Sequence, residues 1–203
     1  SYDSGRIETV GPYHAIMVHF PVAMWIVASG IIVFRALSDG PLARALDRVL
    51  MTILVIGVAT GVVAYTLGQL VMPPDTLQAT PLGRNHMLAA TWSLFYWAAV
   101  LFLRWRAGER VWEGAINRLI MFLLGSLGGG LLAITGTLGG HLHGAPAYLS
   151  EILRMFGWDV YETFFVPTWM LVVLAVVIVA MPVLATIASP GRALRAQRED
   201  VGP

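Results

Sequence analysis

The chain has 203 residues and a formal net charge of +1, with 57% hydrophobic and only 12% charged residues. An ordinary soluble domain carries about 25% charged residues, so this composition argues against a soluble fold. The sequence has no cysteine, which excludes disulfides, cysteine-ligated iron–sulfur clusters and covalent attachment of a c-type haem.

Five segments without Asp, Glu, Lys or Arg predict membrane-spanning helices. A hydrocarbon core about 30 Å thick needs roughly 20 apolar residues of helix to cross it, and each segment reaches or approaches that length. We predict an all-α membrane protein with a single membrane domain over residues 1–203, built as a four-helix bundle plus a C-terminal helix. The five predicted spans are Ala15 to Phe34, Val49 to Val71, Met87 to Leu103, Leu119 to Gly140 and Phe164 to Ala188.

The first span carries His19, which lies about 6 Å inside the apolar segment at 1.5 Å per residue. An ionisable group at that depth is costly without a partner, so His19 is the favoured single candidate for a ligand. His14 precedes the span and lies about 140° around the helix from His19, so the two do not readily bind one metal from the same face. Two interpretations of His14 stay open, an interfacial residue or a ligand.

The second and fourth spans each carry a stripe of small residues. Such stripes allow helices to pack closely, and they also leave room for a flat cofactor. The fourth stripe ends on His143, which favours His143 over His141 as a ligand, provided that the helix stays regular through Gly139 and Gly140. The stripes consist of Gly57, Gly61, Ala64 and Gly68 on the second span, and of Gly125, Gly129, Gly136 and His143 on the fourth.

His86 opens the third predicted helix, directly before the span that starts at Met87, and follows Arg84 and Asn85. One interpretation of His86 is a helix-start residue in contact with interfacial water, and the other is a ligand.

The segment before the fifth span predicts a short amphipathic helix at about residues 147–156. Its apolar residues recur at helical spacing, which is typical of a helix that lies along the membrane interface. Such a helix would either cover a cofactor or only join two spans. The apolar residues are Leu149, Ile152, Leu153 and Phe156.

The distribution of arginines predicts the orientation, because loops rich in positive charge stay in the cytoplasm. Threading the five spans places ten arginines on one side and three on the other, which puts the N-terminus in the periplasm and the C-terminus in the cytoplasm of a bacterial inner membrane. The outer segments then carry six acids and three arginines, a net charge of −3. All five histidines fall at the outer face. No internal repeat is evident.

Histidines from separate helices at one depth are typical of a b-type haem site, in which two imidazoles bind the iron. His19 paired with His86 or His143 would hold one haem, and four of the histidines would hold two. Copper is the alternative, and zinc also binds three or four imidazoles; Met17, Met24 and Met87 lie near the histidines. The glycine-rich, apolar surroundings favour the large, flat haem over a small ion.

The segment HAIMVHFPVA resembles the start of a large, poorly characterised bacterial membrane-protein family, a domain of unknown function whose first helix begins His-Pro-x-x-Val-His-Phe-Pro. Ala15 stands where the family has Pro. The family's Arg-x-His is matched by residues 84–86 and its Gly-Gly and His-Gly by residues 139–144. The resemblance covers about residues 11–144. It places four histidines on family histidine positions, His14, His19, His86 and His143.

Members of this family often resemble partners of periplasmic c-type cytochromes, so the resemblance implies a b-type cytochrome membrane subunit of a redox or respiratory complex. The expected partners are other subunits of that complex, a periplasmic c-type cytochrome and lipids, with no nucleic acid. Quinone is a further candidate ligand near Tyr13, Arg84 and Asp75. We expect an electron-transfer subunit, since the spans contain no nucleophile with a base, no phosphate loop and no paired carboxylates. The alternative is a non-redox anchor or assembly subunit.

Overall fold

The computed structural model describes residues 4–71, 74–163 and 168–187. Within these ranges the regular secondary structure is entirely helical, with seven α-helices and one 3-10 turn at Gly108–Trp112. The helices are α1 Ser4–Leu37, α2 Pro41–Val71, α3 Pro74–Gln78, α4 Pro81–Ala107, α5 Gly114–Leu142, α6 Leu149–Met155 and α7 Thr168–Ile187.

Four of the described helices are long and apolar enough to cross a membrane: α1, α2, α5, and α4 together with the 3-10 turn that follows it. The fifth predicted span, 164–188, corresponds to α7, in which a shorter apolar helix covers Met170–Leu184. Residues 164–167 and 188 of that span lie outside the described residues. The structure therefore contains four helices of membrane length and one shorter apolar helix.

The long helices extend beyond the uncharged segments of the sequence, so the predicted bounds were too narrow. The third span was expected to begin at Met87, but α4 begins at Pro81. There the side chain of Thr80 caps the helix by accepting a hydrogen bond from the backbone of Gly83 at 3.2 Å, and proline occupies the first turn. The helix ends before Gly108, whose φ of +59° favours glycine. Caps and glycines end these helices, whereas the absence of charge only marks their apolar part.

The connections after α2 and after α5 differ from expectation. The helix expected at residues 147–156 is shorter, since α6 covers only Leu149–Met155, and none of its residues is buried. The connection after α2 contains α3, which the sequence analysis did not predict.

The long helices form a ring in which each contacts two neighbours. α1 packs against α2 and α5, and α4 packs against the same two helices from the other side. Because neighbours in the ring run antiparallel, α1 and α4 are parallel and lie on one diagonal. α7 lies outside the ring and packs against α4.

Aromatic side chains fill the centre of the ring. Trp25 from α1 and Trp97 from α4 are buried and stack on each other, and Tyr96 meets Trp97 edge to face. The hydroxyl of Tyr96 donates a hydrogen bond to the Leu124 carbonyl at 2.5 Å. Trp25 has room because α2 presents glycine to it: a Cβ at Gly57 would lie 2.6 Å from the indole nitrogen. The small stripe of α2 is thus in part a packing face.

A buried ion pair joins the helices at the end of the ring where α1 and α4 finish. Arg104 donates to Asp47 at 2.9 Å and to Glu109 at 2.7 Å, and the indole nitrogen of Trp112 donates to the same Asp47 oxygen at 3.1 Å. Asp47 and Arg104 are 3% and 6% exposed, so their charges depend on each other for neutralisation.

Candidate cofactor cavity

Four of the five histidines line one cavity of about 440 Å³ at the end of the ring where α1 and α4 begin. His14 and His19 come from α1, His86 comes from α4, and His143 directly follows α5. The cavity lies within the range of about 300–1,000 Å³ that small-molecule and cofactor sites occupy. The structure therefore brings together the four histidines at the family positions.

His14 is held by α2. Its Nδ1 lies 3.0 Å from the carbonyl oxygen of Ala64, and because a carbonyl only accepts, Nδ1 donates the hydrogen bond. The ring lies against Gly68, where a Cβ would come within 2.9 Å of Cε1. In the neutral imidazole this leaves the lone pair of Nε2 for a metal, as is usual when the second ring nitrogen binds a backbone carbonyl.

His86 is held by α5 in a similar way. Its ring lies against Gly139, where a Cβ would come within 3.0 Å of Cε1, and it interacts with the backbone of Thr135. Its Nδ1 is buried and makes no hydrogen bond of standard geometry. The side chain is therefore positioned by packing between α4 and α5 more than by a strong hydrogen bond.

His19 and His143 use carbonyls of their own helix. Nδ1 of His19 donates to Ala15 at 2.7 Å, and Nδ1 of His143 donates to Gly139 at 2.8 Å. Both residues are exposed at the edge of the cavity. The side chain of His19 turns back along α1 toward Ala15, and its role as a ligand stays a prediction.

The histidines are near one another without forming a compact cluster. His14 and His86 each interact electrostatically with His143, and His86 also interacts with His14. Among the described residues, however, no group of three or more His, Cys, Asp or Glu side chains could hold a metal ion.

His141 lies apart from the other four. Its Nδ1 and the hydroxyl of Tyr161 are 2.5 Å apart, and the two rings meet edge to face. The residue lines a second, more open cavity with Glu151 and Arg154. α5 stays helical through Gly140. The preference for His143 over His141 required this regularity, because it rests on the positions of the two residues around the helix. Ligation by either residue stays a prediction.

Asn85, next to His86, has a structural role that the sequence analysis did not anticipate. It is fully buried, and its side-chain amide donates to the Thr163 carbonyl at 2.5 Å, which fixes the connection before α7 to the start of α4.

Other polar groups in the cavity wall bind one another. The hydroxyls of Tyr65 and Thr91 lie 2.9 Å apart, as do those of Ser93 and Thr135. Trp25 also lines the cavity; sequence reasoning missed it, although it lies 11 residues after His14 and thus only about 20° around the helix. The resulting wall is mainly apolar around a few imidazoles.

A ring of four membrane-length helices around a histidine-lined cavity defines a multi-pass helical membrane protein. Residues 11–145 match the family of predicted membrane proteins DUF2231, a domain of unknown function, and the chain belongs to this family. The match confirms the resemblance drawn from the histidine motifs, and it covers α1 from Gly11 onward, α2, α4 and α5, with all five histidines. No curated protein and no solved structure matches the chain.

Proposed function

We propose that this protein is a membrane subunit of a bacterial redox or respiratory complex that binds b-type haem in the histidine cavity. The observation that carries the proposal is the convergence of His14, His19, His86 and His143 on one cavity. Electrons pass to or from a periplasmic c-type cytochrome.

The residues present fit a non-covalent haem. Imidazoles oriented through Nδ1 could bind haem iron through Nε2, and the chain has no cysteine for covalent attachment. When bound, haem iron supplies one-electron transfer. The protein's own part is to orient the imidazoles through carbonyls of α1, α2 and α5 and to exclude water with an apolar wall, because burial and second-shell hydrogen bonds tune the potential.

The proposed partner follows from the position of the cavity. The cavity lies at the end of the ring that the arginine distribution assigns to the periplasm. Segments at this end carry a net charge of −3, which would attract a basic partner at low salt. That attraction should weaken as the Debye length falls from about 10 Å at 0.1 M salt to about 3 Å at 1 M.

Spectroscopy of protein purified in mild detergent tests the cofactor. We expect a reduced-minus-oxidised spectrum and a pyridine haemochrome typical of haem b. A variant in which all four cavity histidines are alanine should lose both signals, whereas His141→Ala is the matched control and should keep them. Folded wild-type protein without haem would refute the proposal, and metal analysis of the same sample would then distinguish a copper site from a non-redox anchor.

The absence of cysteine makes the orientation and the five-span topology directly testable. Single cysteines at Asp75 and at Glu109, which are both exposed, report opposite ends of the ring. A membrane-impermeant maleimide applied to intact cells should label the cysteine at position 75 and not the one at position 109. A reporter fused after residue 203 should be active only in the cytoplasm if α7 forms the fifth span.

Crosslinking in the native membrane tests the partner. A photoreactive group at position 75 should capture a c-type cytochrome, with a yield that falls as salt rises. Capture of a redox partner only from position 109 would overturn both the orientation and the electron path.

A further inference from the structure

We propose that the helix pairs α1–α2 and α4–α5 are two copies of one structural unit, related by a two-fold axis that runs down the centre of the ring. The equivalent residues His14 and His86 then hold one cofactor between them. The cofactor part of this inference rests on the proposed function of the cavity.

The first support is a shared spacing of chemically identical residues. Trp25 lies 11 residues after His14, and Trp97 lies 11 residues after His86. The two histidines are 72 residues apart, and so are the two tryptophans. On the partner helices, Gly57 and Gly68 are 11 residues apart, as are Gly128 and Gly139, and the two glycine pairs are 71 residues apart.

In both units the tryptophan lies against a glycine of the second helix, through Nε1 and Cδ1 of Trp25 and through Cζ2 and Cη2 of Trp97. A Cβ at Gly57 would lie 2.6 Å from the Trp25 ring, and a Cβ at Gly128 would lie 2.7 Å from the Trp97 ring. In each unit, therefore, the second helix presents a glycine to the tryptophan of the first.

Each histidine also lies against a glycine of the second helix, 11 residues further along that helix. His14 lies against Gly68 and His86 against Gly139, with corresponding distances of 2.9 and 3.0 Å to Cε1. The backbone group beside each histidine also corresponds, because Ala64 and Thr135 are again 71 residues apart and each precedes its glycine by four residues.

The packing of the ring obeys the same symmetry. A two-fold axis that exchanges the units exchanges the α1–α2 contact with the α4–α5 contact, and the α1–α5 contact with the α2–α4 contact, and all four are present. Buried positions correspond as well. The pairs that are buried in both units include Pro21 and Ser93, Ala28 and Val100, Ile31 and Leu103, Leu50 and Met121, and Leu54 and Gly125.

The axis passes between Trp25 and Trp97, because equivalent residues that stack on each other lie on either side of it. Their ring centroids are 6.0 Å apart and their planes differ by 8°. Eleven residues of helix place His14 and His86 about 16 Å from this pair and on the same face. His14 and His86 therefore lie on opposite sides of the axis, where they could hold one cofactor between them.

His19 and His143 fall outside this symmetry. The position equivalent to His19 is Thr91, and the position equivalent to His143 is Met72. Both histidines are exposed and bonded to their own helix. The geometry thus favours His14 and His86 over the earlier candidate His19, and assigns His19 and His143 to the mouth of the cavity.

Five single histidine-to-alanine variants, purified alike and checked for a monodisperse, helical state, test the assignment. We expect His14→Ala and His86→Ala each to lose haem or to turn from low-spin to high-spin, with low-spin character restored by added imidazole. His19→Ala and His143→Ala should affect haem content less than these two variants do, whereas the control His141→Ala, outside the cavity, should keep wild-type haem content and an unchanged electron paramagnetic resonance spectrum.

The outcomes separate the two proposals. Loss of haem in His19→Ala or His143→Ala, with normal haem in His14→Ala or His86→Ala, would overturn the symmetric pair while leaving the proposed function intact. Wild-type protein without haem would overturn both.

Discussion

Trp25 and Trp97 stack almost parallel at the centre of the ring, 6.0 Å apart, on the two helices that lie across its diagonal. Neither indole nitrogen has a hydrogen-bond partner, so this layer is held by packing alone. Along α1, Trp25 lies between the histidines and Arg35. The stack therefore divides the interior into a cavity with imidazoles and an end with buried charges, and several consequences of this division can be measured.

Replacing Gly128 with alanine should destabilise the protein, because the new Cβ would lie 2.7 Å from the Trp97 ring. Overpacking of this kind typically costs about 1–3 kcal/mol. Gly130→Ala is the matched control on the same helix, since a Cβ there meets nothing within 4 Å and alanine favours helix by up to about 1 kcal/mol. Thermal unfolding in detergent should show a lower midpoint for the first variant and an equal or higher one for the second. Equal midpoints for the two would contradict the packing described for the tryptophan layer.

Alanine at Gly68 or Gly139 should disturb the cofactor without unfolding the protein. The added Cβ would lie 2.9 or 3.0 Å from Cε1 of the histidine opposite, so the imidazole must shift by a few tenths of an ångström. Changes around a metal-binding histidine typically cost about 10–100-fold in affinity, and we expect a loss of haem affinity in that range. Haem titration and the reduced spectrum measure it, with Gly130→Ala again as the control. Wild-type affinity in both cavity variants would show that the glycines do not position the histidines.

Removal of Arg104 alone should be strongly destabilising, because it leaves Asp47 buried without its ion-pair partner. Breaking a buried pair by removing one partner typically costs about 3–5 kcal/mol, whereas replacing both partners by apolar residues is often close to neutral. Arg104→Met should therefore lose much more stability than the double variant with Asp47→Leu.

The exposed pair of Arg154 and Glu151 provides the comparison for that experiment. Exposed pairs contribute about 0–1 kcal/mol, so Arg154→Ala should leave the unfolding midpoint nearly unchanged. A double variant at positions 47 and 104 that is as unstable as Arg104→Met would indicate a role for the pair beyond mutual neutralisation.

Lowering the pH should remove the contribution of Asp39 to the stability of the fold. Asp39 lies between α1 and α2. Partial desolvation raises the pKa of Asp39, but the three surrounding arginines lower this pKa by more. The pKa of Asp39 therefore lies below its ordinary value. A carboxyl with a lowered folded-state pKa stabilises the fold above its unfolded pKa of about 3.9, and this stabilisation is lost as the pH falls through the folded-state value. Melting curves of wild type and Asp39→Asn should differ at neutral pH and converge in acid. The arginines are Arg35, Arg44 and Arg118.

The sequence carried enough information to predict the helical class and the histidine set, because both depend on local properties. A run of uncharged residues predicts a span whatever it packs against, and the family motif includes the four histidines of the cavity. The position of each residue around the helix also distinguished His143 from His141, because α5 remains regular to Leu142. The helix bounds were less predictable, because they depend on caps such as Thr80 that lie outside the apolar runs.

The packing of each histidine against other helices could not be predicted from the sequence of a single helix. His19 is deeper in sequence than His14, yet its side chain is exposed, because Ala15 provides a carbonyl one turn back along α1. His14 is held because Gly68 on another helix leaves it space. Depth along one helix therefore does not determine how exposed each histidine is, and the missing information was the pairing of α1 with α2.

The two helix pairs of this chain are related by a two-fold axis, as the two subunits of a closed homodimer are. If the units descend from one hairpin, an ancestor of half the length would have formed the same ring by pairing with its own copy. Residues 9–71 alone are then expected to self-associate in a membrane, which energy transfer between labelled copies can measure. Fusion of the two copies would have allowed each half to diverge, and His19 and His143 are single-copy residues of that kind. One histidine, one tryptophan and two glycines per hairpin would have been enough to specify the interior of the ancestral dimer.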